Sequence, residues 1–459
     1  MRIVNPASEE TIVDLPLQGV EETDEAVARS VEAGPAWRVV APTDRARLLR
    51  RFASEVESHA EELARLETRN VGKPLAESRG EVGMVAEVLY FYAGAVDKHR
   101  GATVPVTGGV DMTFHEPLGV VAAIVPWNFP IAITSWKVGP ALATGNTIVV
   151  KPAESTPLTA LRLAELALDA GLPEGVFQVV VGTGPTVGTR LVGHADVAKV
   201  AFTGSTEVGR QVMARASGTL KRVTLELGGK SASVIFEDAD LELAASSTPG
   251  GVFANAGQDC CARSRVLVQR SVFDSYLSYL EEAVGAWTVG DPTEPSTDMG
   301  PLATSAHRDR VRSFLEAGMG DPDGGPVPGR IVGAVPEGPG FWFPPTVVAP
   351  ADAMWRMARE EIFGPVVAVI PFDGEEDAVR LANDTPYGLS GSIWTRNGAR
   401  ALRMARSVQA GNLSVNSNSS VRVQTSFGGM KQSGFGRELG LEALASYSDV
   451  KNVFVATDG

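Results

Sequence analysis

The sequence predicts an α/β protein built on parallel sheets, and three observations lead there. From Gly119 onward, short apolar runs of strand type at residues 120–125, 147–150, 177–181 and 200–202 alternate with helix-sized stretches. A second alternation occupies residues 366–416, with strands at 366–370, 392–394 and 412–416 separated by helical patterns at 375–383 and 397–408. The first runs are apolar throughout, as strands covered on both faces require. Strand-helix-strand order produces parallel pairing, and such sheets hold ligands beyond the carboxyl ends of their strands.

Taken in order, residues 45–70 place Leu49, Phe52, Val56, Leu63 and Leu66 at helical spacing with charges between them, which predicts one amphipathic helix. Gly72-Lys-Pro74 ends it, a second helix covers residues 81–96, and neither offers chemistry. Residues 101–116 read as a hairpin turning at Gly108-Gly109, either a subunit contact or a surface excursion. Thr156-Pro157 has the order that opens a helix, and Gly171 stands where one ends. Gly182-Thr-Gly-Pro-Thr-Val-Gly188 has the wrong spacing for a dinucleotide fingerprint and reads as a loop. Residues 320–340, rich in Gly and Pro, read as a surface loop between two α/β domains. The tail 446–456 alternates as a strand does, with no partner nearby in sequence.

A chain of 459 residues with 44% hydrophobic composition has core enough for two or three domains. With 41 Lys and Arg against 55 Asp and Glu, the net charge of −14 argues against nucleic acid or an anionic membrane as partner. Two adjacent cysteines cannot frame a disulfide fold, so a reducing cytoplasm is expected, and no apolar run reaches the roughly 18 residues that span a bilayer. The five histidines are scattered without ligand spacing, so no metal is expected and a carboxylate base becomes worth seeking.

Two stretches carry candidate chemistry. Phe253-Ala-Asn-Ala-Gly-Gln-Asp-Cys-Cys-Ala-Arg-Ser-Arg265 sets Cys260 after a glycine that lets the backbone turn sharply, either as a nucleophile or as a buried structural thiol. Val223-Thr-Leu-Glu-Leu-Gly-Gly-Lys230 buries one acid, Glu226, in an apolar run. Desolvation would raise its pKa into the range of a general base, and a structural acid satisfied by backbone N–H groups is the alternative. The turn Phe202-Thr-Gly-Ser205 opens a helix whose N–H groups could face a phosphate.

Together these segments resemble the aldehyde dehydrogenase superfamily, in its non-acylating, NAD(P)-dependent branch. The signatures Leu225-Glu-Leu-Gly-Gly-Lys230 and Phe253–Cys260 are supported in order by Pro126-Trp-Asn-Phe-Pro130, Lys151-Pro-Ala-Glu154, Phe202–Ser205, Glu361-Ile-Phe-Gly-Pro365 and Phe427-Gly-Gly-Met-Lys-Gln-Ser-Gly434. The resemblance implies a Rossmann-like cofactor domain over residues 1–100 and 117–228 and an α/β catalytic domain over 229–432. A small β oligomerisation part would comprise residues 101–116 and 445–459, in a homodimer or homotetramer.

It implies oxidation of an aldehyde to an acid, with Cys260 as nucleophile and Asn128 with the Cys260 N–H stabilising the oxyanion. Glu226 would activate water against the thioester, and Glu438 would relay protons. For the cofactor it assigns Lys151 and Glu154 to the adenosine ribose, Gly204 and Ser205 to the pyrophosphate, and Trp127, Glu361 and Phe363 to the nicotinamide end. Glu154 accepts from a ribose 2′-OH and repels a 2′-phosphate, which favours NAD over NADP.

Phe129, Trp136, Asp259 and Phe427 would line the substrate channel. The aromatics suit an apolar or amphipathic aldehyde, Asp259 suits an aminoaldehyde or betaine aldehyde, and Arg422 suits a semialdehyde carboxylate. An acid at 259 departs from the family pattern and disfavours the thiolate beside it. The rival readings are a CoA-acylating semialdehyde dehydrogenase, against which Glu226 argues, and a cysteine hydrolase, which needs a His base. Cys261 is either filler or a partner in a vicinal disulfide.

Overall fold

Five parallel strands form the heart of the first sheet, in the order Arg222–Glu226, Val197–Thr203, Val120–Ile124, Thr147–Lys151 and Phe177–Val179. A short antiparallel strand, Gly434–Phe435, returns from the far end of the chain to pair with Arg222–Glu226. These belong to a computed structural model that describes residues 1–316, 329–331, 334–419 and 421–457. The second sheet runs Gly329–Ile331, Thr346–Val348, Val366–Phe372, Arg265–Gln269, Ala232–Ile235, Ser390–Trp394 and Asn412–Val415, parallel except at its first edge. The chain passes from one sheet to the other between Glu226 and Ala232.

The buried faces follow from composition. Val120 through Ala123 and Thr147 through Lys151 are all buried, because helices cover both sides of the sheet. The helix Pro130–Ala143 is buried along its whole length. That is why its apolar run shows no polar face, and it fixes Trp136 and Lys137 inside the protein.

The hairpin strands are Thr103–Val106 and Gly109–Pro117, with Gly108 in the left-handed region at φ 80°. The tail strand Ser448–Ala456 finds its partner there, pairing antiparallel along the whole of Gly109–Pro117. Local sequence could not reveal this, since more than 330 residues separate the paired strands.

Three expectations change. The helix expected over residues 45–70 is two helices, Pro42–Ser58 and Ala60–Val71, broken at His59. Periodicity hid the break because Leu49, Phe52, Val56 and Leu63 all join one core with Val85, Leu89 and Tyr92 of the next helix, Leu75–Ala95. Residues 184–188, expected as loop, form a π-helical turn opening the short helix Thr189–Gly193, with the Thr183 hydroxyl accepting from Thr186 N–H at 3.3 Å. The loop expected over residues 320–340 lies partly outside the described residues, and Gly329–Ile331 within it is an edge strand.

Candidate active site

Cys260 owes its place to an unusual backbone. Asn255, Ala256 and Gly257 lie consecutively in the left-handed region at φ 48°, 55° and 70°. L-residues with a Cβ adopt this at a cost, so surrounding bonds must hold it. The Gln258 side chain donates to Asn255 O at 2.9 Å and accepts from Ala303 N–H at 2.9 Å, while Asn255 Nδ2 donates to Asn128 O at 2.9 Å. At Gly257 a Cβ would meet Gly364 O at 2.3 Å, so the chain can pass only as glycine.

The half-buried Cys260 faces a cavity of about 230 Å³ lined also by Asn128, Glu226, Glu361 and Phe363. Contact with Cys261 and burial push the Cys260 thiol well above its usual range, so at rest it keeps its proton. Asp259 does not face the cavity as a free charge. It accepts the Cys261 N–H at 2.8 Å, and burial raises its pKa.

Asn128 sits in the turn between Val120–Ile124 and Pro130–Ala143, buried, with Nδ2 donating to Gln258 O at 2.8 Å. Glu226 ends its strand 4% exposed, and neither carboxylate oxygen has a hydrogen-bond partner among the described residues. Burial raises its pKa well above the ordinary range, and the charge of Glu438 adds to the rise. Gly428 makes room for it, since a Cβ there would stand 2.9 Å from Glu226 Oε1.

Glu438 lies behind Glu226, on an extended stretch whose backbone exchanges two 2.7 Å hydrogen bonds with Phe427. It is buried, its Oε1 is 2.5 Å from Lys137 Nζ, and its Oε2 has no hydrogen-bond partner among the described residues.

On the opposite wall, Glu361 accepts the Gly229 N–H at 2.8 Å, and burial pushes its pKa up to about 7. Gly228 permits that approach, because a Cβ there would meet Glu361 Oε2 at 2.2 Å. Phe363, at φ 62°, meets Trp127 edge-on at 5.3 Å. Gly204 and Ser205 also line the cavity, and Ser205 Oγ caps the helix Thr206–Ala216 by accepting Val208 N–H at 3.3 Å.

Lys151 and Glu154 do not line this cavity. The buried Lys151 Nζ donates to Pro152 O at 2.8 Å and to Glu154 Oε2 at 3.2 Å, next to a second cavity of about 390 Å³. Gly184, Pro185 and Gly188 wall that cavity on one side and Phe202, Val208 and Val212 on the other. A Cβ at Gly188 would come within 3.6 Å of Lys151 Cδ, so the lysine stem packs against the glycine turn that walls the cavity.

Of the channel candidates, Phe129 lines the first cavity. Trp136 and Phe427 are buried beside it and meet edge to face at 5.1 Å, in the same apolar cluster as Phe129 and Cys260. Arg422 is not among the residues lining this cavity and donates to Ser419 Oγ and to the Val421 carbonyl.

Sequence reasoning missed three features. His307 and Arg310, on the helix Ser305–Glu316, line the first cavity, with His307 Nε2 2.6 Å from Phe363 O. Gly184 to Gly188, set aside for its spacing, was the available signal for the second cavity. Lys73, read only as part of a helix stop, is 1% exposed and donates to Asn128 O at 2.8 Å.

The sequence profile of the aldehyde dehydrogenase family matches residues 1–453. An NADP/NAD-dependent aldehyde dehydrogenase of Escherichia coli K12, PuuC, is 43% identical over 437 residues, 94% of this chain and 87% of that protein. A betaine aldehyde dehydrogenase of Bacillus subtilis 168 is 38% identical over 98% of this chain and 93% of its own length. Among solved structures, PnpE from Pseudomonas sp. WBC-3 superposes with a TM-score of 0.95 at 41% identity, covering all of this chain and 94% of that one. PnpE in complex with nicotinamide adenine dinucleotide superposes with a TM-score of 0.96 at 41% identity and the same coverage.

Proposed function

The chain belongs to the aldehyde dehydrogenase family, and from that premise we propose that it oxidises an aldehyde to a carboxylic acid with NAD⁺ through a thiohemiacetal and then a thioester on Cys260. One observation carries the reading: a thiol, a buried carboxylate with two unpartnered oxygens and a side-chain amide converge on one cavity.

Cys260 Sγ bonds to the aldehyde carbon, and the carbonyl π electrons move onto oxygen. Because its surroundings keep the thiol protonated, a base must take the proton, and we assign that step to Glu226, which lines the same cavity and has a raised pKa. Asn128 binds one amide proton to Gln258 O, which leaves the second for the oxyanion together with the Cys260 N–H. Bound NAD⁺ supplies the acceptor for the hydride that leaves the same carbon. Glu226 would first pass the thiol proton on by way of the Lys137–Glu438 pair behind it, then take a proton from the water that attacks the thioester, and return that proton to the Cys260 thiolate as the acid leaves, restoring the thiol.

The residues present fit the cofactor. Glu361, held by a backbone N–H, would accept from ribose hydroxyls, and Gly204 with Ser205 would turn the N-terminus of a helix to a pyrophosphate. The second cavity offers an apolar slot for a purine. The half-exposed carboxylate of Glu154 beside Lys151 favours NAD⁺ over NADP⁺.

Asp259, tied to the Cys261 N–H, leaves Phe129, Trp136 and Phe427 to set the substrate class, which favours an uncharged apolar or aromatic aldehyde. Betaine aldehyde is the second reading, because three aromatic rings also suit a quaternary ammonium by cation–π attraction and relatives carry that activity in their names. A cysteine hydrolase is disfavoured, since the histidine at the cavity, His307, is engaged with Phe363 O.

The sheet that the hairpin forms with the tail ends in the nine-residue edge strand Ser448–Ala456, on which Val450, Val453 and Phe454 are exposed. Such an edge invites pairing, and we assign it to contact with a second copy of the chain. No helix among the described residues is long and apolar enough to cross a membrane.

The deciding experiment follows NADH appearance over aliphatic, aromatic, amino-, carboxy- and trimethylammonio-aldehydes, with Cys260→Ala as control. NADH that vanishes in the variant supports the reading and ranks the substrates. No NADH from any aldehyde, with folded cofactor-binding protein, defeats it.

A further inference from the structure

We infer that Lys73 is a positioning residue for the Asn128 amide, an inference that rests on the oxyanion role proposed for Asn128. Lys73 follows Gly72, the left-handed end of the helix Ala60–Val71 at φ 92°, and precedes the helix Leu75–Ala95. The corner is rigid, since a Cβ at Gly72 would meet Pro6 Cγ at 2.7 Å and Leu75 N–H donates to Pro292 O at 2.8 Å. A lysine there would ordinarily reach solvent, yet this side chain turns inward and is completely buried.

Inside, Nζ lies 2.5 Å from Glu81 Oε1, 3.7 Å from Glu67 Oε1 and 4.3 Å above the Phe129 ring. Its remaining contact is the 2.8 Å hydrogen bond to the main-chain carbonyl of Asn128. The carboxylates account for burying the charge, but they do not require that bond.

The same carbonyl accepts Asn255 Nδ2 at 2.9 Å, from the turn that presents Cys260. Both of its lone pairs are therefore taken, one from the helix corner and one from the nucleophile turn. With the peptide plane fixed, the Asn128 side chain, which lines the cavity, reaches Gln258 O at 2.8 Å with one amide hydrogen and keeps the other in reserve. One turn beyond Lys73, the Glu77 carboxylate accepts the Asn255 N–H at 3.2 Å. The corner thus grips both Asn128 and the turn carrying the nucleophile. A donor to an oxyanion must sit at about 2.7–3.1 Å, and a displacement near 1 Å costs on the order of 100-fold in rate.

Removing Lys73 alone would strand Glu81, so the test removes both charges. Glu81→Gln keeps an acceptor for Lys73 and serves as control, with kcat expected within about threefold of wild type. In Lys73→Met/Glu81→Gln, kcat should fall roughly 30-fold while KM for NAD⁺ stays within about threefold, because the cofactor contacts are untouched. Lys73→Gln/Glu81→Gln, which restores a donor, should recover part of the loss. In an Asn128→Ala background, Lys73→Met/Glu81→Gln should cost no more activity than Glu81→Gln alone does there, as two groups acting through one bond require.

Multiplicative losses in that background, unchanged kcat in the folded double variant, or no recovery with Gln would overturn the inference. So would failure of both double variants to fold, which would place Lys73 in the stability of the fold instead. Wild-type turnover, measured first, decides the parent reading separately.

Discussion

Lys137 and Glu438, 301 residues apart in sequence, form an ion pair of 2.5 Å with both side chains almost fully buried. The pair stands behind Glu226, whose pKa is raised first by burial and next by the charge of Glu438. Replacing Glu438 with Gln removes that charge and lowers the Glu226 pKa. The acidic limb of the kcat/KM profile should move to lower pH, and a limb that stays in place would show that Glu438 does not act on the base. Lys137→Met leaves Glu438 buried and unpaired, which should cost about 3–5 kcal/mol in urea unfolding.

Glu226→Gln should lower kcat by about 10²- to 10⁴-fold with little change in KM for NAD⁺. Stability should respond in the opposite sense. The folded pKa lies above the ordinary 4.5, so over the interval between them the native state retains a proton that the unfolded chain has released. The stability contributed by Glu226 is complete below that ordinary value and is lost as pH rises through the folded one. Thermal unfolding at pH 5 and pH 9 should therefore show the variant gaining on wild type at the higher pH. An equal difference at both would argue against a raised pKa.

Glu154→Ser removes the carboxylate that lies 3.2 Å from Lys151 Nζ. With the repulsion of a 2′-phosphate gone, the ratio of NADP⁺ to NAD⁺ activity should rise roughly tenfold. Steady-state kinetics with both cofactors checks it, and an unchanged ratio would remove Glu154 from cofactor choice.

Val450 and Phe454 stand on the outer strand Ser448–Ala456 at 64% and 52% exposure. Val450→Lys with Phe454→Asp should convert an oligomer into a species of monomer mass by light scattering, with the monomer fold retained. A wild type that is already monomeric, or a variant that stays associated, would refute the proposed interface.

Much of this architecture was legible in the chain. Continuous apolar runs mark the central strands, because a strand covered on both faces has no solvent side to alternate toward. Gly171 marks its helix end, adopting the left-handed φ of 89° that glycine tolerates best. Glu226 stood out as one acid in an apolar run, and the structure buries it with both oxygens unpartnered.

What the sequence determined by itself was local: the period of each element, the turns at strand ends, and the unusual residues those turns carry. Tertiary structure alone decided what depends on distant partners. It paired the tail with the hairpin, joined Lys137 to Glu438 and turned Lys73 onto Asn128. It also bound Asp259 to the Cys261 N–H and Arg422 to the Ser419 hydroxyl. The physical reason is common to all of these. A charge or a free edge looks solvated in a linear chain, and only packing that excludes water obliges it to find a partner, from wherever in the sequence the fold brings one.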